Sequence, residues 1–214
     1  VPPLTQGSHG QGLWPGIEIA SSGSAELNNI TIANASASLL VRGSLDGFDL
    51  TLNDAYRGLS LLGGQATING VDAHRMDYEA FYIDGGSLEL NDAVAVEVAV
   101  GMDVNGEVNA SQLTIQEAGV GIRTSGGHLN ATGVGIVNAS VGIATKAGAT
   151  TTVSSVYATG VSLAVDASDT DGLSLTNAVM EGERMLVAQG ATSISMDDVS
   201  FTADGLELRY VLDA

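Results

Sequence analysis

Residues 113–148 state one pattern twice. Leu113-Thr-Ile115-Gln-Glu117-Ala118-Gly-Val-Gly121-Ile122 returns as Val134-Gly-Ile136-Val-Asn138-Ala139-Ser-Val-Gly142-Ile143. A repeat this short constrains the fold more than any other feature, because one unit cannot bury an apolar face alone and must stack on its copies. Two rulers carry the pattern through the chain. Glycines that close each segment fall at Gly43, Gly64, Gly86, Gly106, Gly127, Gly148, Gly172 and Gly190, with steps of 18 to 24. The first apolar residues, Ile30, Leu50, Val71, Val94, Leu113, Val134, Val156, Val179 and Val199, step by 19 to 23. Both average about 21, so the repeat runs from about residue 27 onward.

Within a unit the pattern is that of strands. Ile30/Ile32, Leu50/Leu52, Leu113/Ile115, Val134/Ile136 and Val199/Phe201 alternate with period two, which buries one face. Four residues after each start stands a turn former or polar residue (Asn34, Asp54, Glu117, Asn138, Gly160), suited to a left-handed corner. A second short apolar run follows, as in Leu59-Ser-Leu61 and Val120-Gly-Ile122, and then glycine turns the chain again. No segment keeps a helical apolar stripe over three turns. Leucine-rich repeats share the period but require a signature missing here, and propeller repeats are about twice as long. A parallel solenoid of about nine coils remains, with apolar columns inside and acidic residues facing solvent.

The recurring apolar-x-apolar-x-(Asn/turn)-Ala-x-x-Gly-(Ile/Leu), carried from residue 27 onward, resembles the right-handed parallel β-helix superfamily, the pectate-lyase-like fold. The resemblance implies an all-β, right-handed parallel β-helix; handedness comes from it alone. It leaves function open, because this fold carries lyases, hydrolases, adhesins, tailspikes and surface-layer components. Two regions follow: an irregular cap over 1–26, with Leu4, Leu13 and Trp14 over the first coil, and a β-helix over 27–214. The strand-like residues 206–214 leave the C-terminal end without a cap, as in a chain cut from a longer one or docked on a partner.

Charge narrows the partners. Seven basic against 25 acidic residues give a formal net charge of −18, which repels phosphate backbones and excludes nucleic acid. Cysteine is absent, so there are no disulfides or thiolate metal sites, and no apolar run reaches the length of a membrane helix. The chain begins at Val1 without methionine or signal peptide, as a processed or excised chain would.

Catalytic signatures are sparse. The resemblance implies clustered carboxylates holding Ca²⁺ with an arginine base in lyases, or grouped Asp with His and Arg/Lys in hydrolases. Asp197-Asp198 stands alone, and none of His9, His74 or His128 lies in Gly-His-Gly. His128, after a Gly-Gly corner, reads as a solvated turn residue. One window does break the pattern: residues 72–86 hold His74, Arg75, Asp77, Tyr78, Glu79, Phe81 and Tyr82, and the preceding coil adds Asp54, Tyr56 and Arg57. Sugar rings stack on aromatics while carboxylates and guanidinium bond their hydroxyls. Tyr56, Arg57, His74, Arg75, Asp77, Tyr78, Glu79 and Tyr82 are therefore the candidate carbohydrate site, weighed against a bulged loop packed on the rod.

Two weaker signals remain. Asp166, Asp169 and Asp171 before Gly172 resemble part of a calcium loop, the only cofactor suggested, without the bidentate Glu that completes one. Asn29, Asn34, Asn109, Asn130 and Asn138 head glycosylation sequons, although Asn and Ala-Ser also suit β-helix corners. Together these features point to an extracellular or cell-surface structural or adhesive β-helix, part of a larger assembly or filament, with itself, other surface proteins or glycans as partners. The alternative is a carbohydrate-active enzyme, a polysaccharide lyase or glycoside hydrolase, or its binding module.

Overall fold

The computed structural model describes residues 14–146, 148–202 and 209–210, and every strand pairing in it is parallel. In chain order the strands are β1 (Ile17–Ile19), β2 (Ser24–Ala33), β3 (Ala37–Val41), β4 (Ser44–Ala55), β5 (Arg57–Leu61), β6 (Gln65–Thr145), β7 (Ala149–Ser168), β8 (Gly172–Gln189), β9 (Ile194–Thr202) and β10 (Arg209–Tyr210). Each coil lies on the one before it: Ile30 pairs with Leu50 and Leu50 with Val71, then Val134 with Val156, Val156 with Ala178 and Ala178 with Val199. The result is an all-β parallel solenoid of about nine turns, on the order of 40 Å long at the usual strand spacing of about 4.8 Å.

β6 runs for 81 residues without losing its ladder, although it passes several corners. Single residues make those corners. Asn29, Asp49, Gly70, Asp92, Gln112, Gly133, Ser155, Asn177 and Asp198 all have positive φ and recur once per coil. Asn34, Asp54, Arg75, Glu97, Glu117, Asn138 and Gly160 form a second left-handed column. One αL residue bends the strand without interrupting hydrogen bonding on either side, so each coil presents three faces. In the second full coil these are residues 44–48, 50–53 and 57–61.

The second column is the one expected from residues four after each start. The first column corrects the apolar ruler. Coil starts follow it directly, which places Ala93 and Ala178, not Val94 and Val179, in the inward column; Ala178 pairs with Val156 and Val199, while Val179 points outward and is 42% exposed. Bulk misled the reading, since a small alanine fills the interior while its larger neighbour faces solvent. The glycine ruler also slips. Gly43, Gly64, Gly86, Gly106 and Gly127 do stack, but Gly127 pairs with Ala149, and Asp171 N–H donates to the Ala149 carbonyl, so Gly148 and Gly172 flank the column.

The ladder also reaches before residue 27: Ile17–Ile19 pairs with Leu39–Val41, and Ser24 pairs with Ser44. Trp14 bridges Ala35, and its indole N–H donates to the Ala33 carbonyl at 2.9 Å, so it does lie on the first coil. Leu4 and Leu13, and residues 206–214 apart from Arg209–Tyr210, fall outside the described residues.

Inside, aliphatic columns fill the rod. Leu39 pairs with Leu59 and Leu59 with Phe81; Val41 pairs with Leu61 and Leu61 with Ile83; all are buried. Phe81 is the largest fully buried side chain among the described residues. A few hydroxyls share the core: Thr145 lies 2.9 Å from Thr151 and 3.1 Å from Thr170, all three fully buried. Among the described residues two acidic side chains depart from the expected solvent-facing arrangement, Glu79 at 1% exposed and Asp103 at 7%.

Candidate functional site

The third face of the second and third full coils gathers the aromatic and charged window. Arg57 opens β5 and Glu79 sits one coil beyond it, so the ladder stacks guanidinium over carboxylate: Arg57 Nε donates to Glu79 Oε2 at 2.6 Å. Tyr56 and Tyr78 stack the same way, ring centroids 5.7 Å apart and planes inclined by 22°. The Arg57 guanidinium carbon lies over three rings, at 4.2 Å from Tyr82, 5.5 Å from Tyr78 and 5.7 Å from Tyr56. Ring faces attract such a cation, and the arrangement fixes the tyrosines against the rod.

The next two coils complete the network. Arg123 Nη2 donates to Asp103 Oδ2 at 2.5 Å and stands 3.7 Å from Glu79 Oε1, while Ser125 donates to Asp103 Oδ1 at 3.1 Å. Sequence reasoning missed Asp103, Arg123 and Ser125, because they lie one and two coils beyond the aromatic window. The signal that finds them is register: one repeat on from Tyr82 reaches Asp103, and the next repeat reaches Arg123.

Electrostatics follow burial. Removing Glu79 from water pushes its pKa up, and Arg57 opposes that shift without cancelling it. Burial also raises the Tyr82 phenol, with nearby Asp84 adding to it, and the bond to Asp103 holds Arg123 firmly protonated. A carboxyl whose folded pKa lies above its ordinary 4.5 binds more protons folded than unfolded. Its contribution to stability is thus fully present below pH 4.5 and is lost as pH rises through the folded value. Relative to Glu79→Gln, the wild type should therefore be most stable in acid and lose ground toward neutral pH. Urea denaturation of both proteins across that range measures this, and parallel profiles would refute it.

The rest of the predicted window does not join. The corner at Arg75, φ +56°, separates it from the tyrosine cluster. Arg75 clamps the preceding corner instead, with Nε to Asp54 Oδ1 at 2.6 Å and Nη2 to Asp54 Oδ2 at 2.8 Å. His74 lies on the second face opposite Asn53, and Asp77 is exposed beyond the corner. Of the eight predicted residues, five converge: Tyr56, Arg57, Tyr78, Glu79 and Tyr82.

The acidic loop is dispersed. Asp166 lies on the third face, 3.1 Å from Lys146 Nζ and 2.5 Å from the Ser168 hydroxyl; Asp169 occupies a left-handed corner, and Asp171 follows it. Among the described residues no three His, Cys, Asp or Glu side chains stand close enough to hold a metal ion. All five sequon asparagines are exposed. Asn29, Asn34 and Asn138 are corner residues, while Asn109 and Asn130 belong to an outward ladder in which Asn109 donates to Glu89 at 2.7 Å. His128 is exposed, 3.9 Å from Glu107.

Among the described residues no helix is long and apolar enough to cross a membrane. Comparison with protein-family models, with curated proteins and with solved structures gave no match.

Proposed function

We propose that this chain is a structural and adhesive rod of an extracellular or cell-surface assembly, with the third face as its contact patch for glycans or neighbouring surface proteins. Right-handed winding and kinship with the pectate-lyase-like β-helices belong to the same reading. The observation that carries it is the Arg57–Glu79–Arg123–Asp103 network under the tyrosines. Its charges answer one another across successive coils, which commits them to holding the stack. What the network offers outward is the Tyr56–Tyr78 pair, with Tyr56 48% exposed and immobilised by Arg57. A rigid aromatic plate loses little entropy on contact and suits the apolar face of a sugar ring or a partner's side chain.

Electron microscopy of the purified chain, with and without millimolar Ca²⁺, together with a glycan array, tests the proposal. Fibres, sheets or a defined set of bound glycans are expected. Dispersed rods that bind no glycan would overturn it. The double variant Tyr56→Ala/Tyr78→Ala should lose at least about tenfold in affinity for any bound glycan, the cost of one lost aromatic contact, while circular dichroism still shows a folded rod.

Glu79 favours a second reading, a carbohydrate-active enzyme. A carboxyl with a raised pKa can keep a proton for a sugar leaving group. Its burial and its bond to Arg57 weigh against sugar reaching it. Turnover of a polysaccharide by the wild type, lost in Glu79→Gln, would establish the enzyme.

A further inference from the structure

The first face of the rod carries a groove that the tyrosine cluster does not touch. It is lined by Glu26, Asn28, Asp46, Phe48, Thr67 and Asn69 from three successive coils. Register fixes the arrangement: Asn28, Phe48 and Asn69 form one outward column, and Glu26, Asp46 and Thr67 form the column beside it. Phe48 is 51% exposed, whereas Phe81 is fully buried and Phe201 packs against the core. An aromatic ring at the centre of an outward sheet face, with an amide above and below, has no packing role inside the rod.

We propose that this groove is a saccharide subsite for a pyranose bearing a free, protonated amino group. The apolar face of the ring would lie on Phe48, flanked by the Asn28 amide and by the Asn69 NH₂ group, whose own oxygen already accepts from Asn91 Nδ2 at 2.9 Å. The amine is specified by the other column. Glu26 and Asp46 are directly opposite one another on adjacent parallel strands, about 4.8 Å apart, an arrangement that destabilises a sheet when the charges are alike. Neither carboxylate has an ion-pair partner among the described residues, and no basic side chain lines the groove. An ammonium between them relieves the repulsion and meets the edge of the aromatic face, where a neutral or acidic sugar gains nothing from the pair.

The site lies on a different face from Tyr56 and Tyr78 and stands or falls without them. Calorimetric titration at mildly acidic pH decides it, with three probes: a glucosamine tetramer, the N-acetylated tetramer and cellotetraose. The glucosamine tetramer should bind at least about tenfold more tightly than the other two. Phe48→Ala should reduce its binding by a similar factor, and Asp46→Asn should bring it to the level of the N-acetylated form. Both side chains face outward, so circular dichroism should show both variants folded. Equal affinity for the three sugars would overturn the assignment of the amine. Unchanged binding in Phe48→Ala would show that net charge alone gathers the polyamine, and would overturn the site. Tyr56→Ala/Tyr78→Ala should leave this titration unaltered, which separates a failure here from one at the third face.

Discussion

A single methyl group at Gly86 should cost the fold several times what the same change costs at Gly63. Gly86 has φ +78°, and a Cβ there would lie 2.1 Å from the Gly64 carbonyl oxygen and 2.8 Å from the Gly64 nitrogen. Neither atom can retreat, because that carbonyl accepts from Ser87 N–H at 3.0 Å within the ladder. Gly63 provides the control: φ +82°, with nothing within 4 Å of its added Cβ. Gly63→Ala should cost only the left-handed backbone penalty, about 1–2 kcal/mol. Gly86→Ala should add a displaced backbone to that penalty and reach about 3–4 kcal/mol, in the upper tail of point substitutions. Denaturation midpoints of the two variants, measured side by side, check the difference. Equal losses would mean that the coils slide apart more easily than the ladder implies.

The second large effect belongs to Phe81. It is fully buried, pairs with Leu59 on the preceding coil, and is the bulkiest of the fully buried side chains among the described residues. Phe81→Ala should cost about 3–5 kcal/mol through lost transfer energy and the cavity left behind. For a chain of this length that corresponds to a melting point lower by roughly 10 °C. Phe81→Leu should recover more than half of the loss. A calorimetric scan distinguishes this from local damage: a broadened or split transition in Phe81→Ala would show that coils near it melt separately from the rest.

The architecture was legible because the repeat is enforced at every coil, while the site was legible only in part. Period, strand alternation and the second corner column all follow from residues that recur, such as Asn34, Asp54 and Asn138, whose side chains tolerate left-handed φ. The first corner column was harder to read. Gln112 and Ser155 share a conformation that their side chains do not announce, and neighbouring valines at 94 and 179 drew the apolar ruler outward by one residue. The site suffered from linear reading. A window along the chain joins His74 to Tyr78, yet the corner at Arg75 puts them on different faces. Conversely, Arg123 stands two coils beyond Glu79 along the chain and 3.7 Å from it in space. In a solenoid, proximity is measured in coils, and a search that advanced one repeat at a time would have assembled the whole network.

The left-handed columns also make the coil a unit of length. Corners return at fixed places while the stretches between them vary by a residue or two, so one coil's exit matches another's entrance. A gene encoding such a chain can grow or shrink by whole coils, and the change is felt only at the seam, where two new neighbours meet. Stability in a stack of this kind accrues pair by pair between adjacent coils, without a central core that fixes the count. The length of the rod then becomes a quantity that evolution can set in increments of about 4.8 Å without redesigning any face.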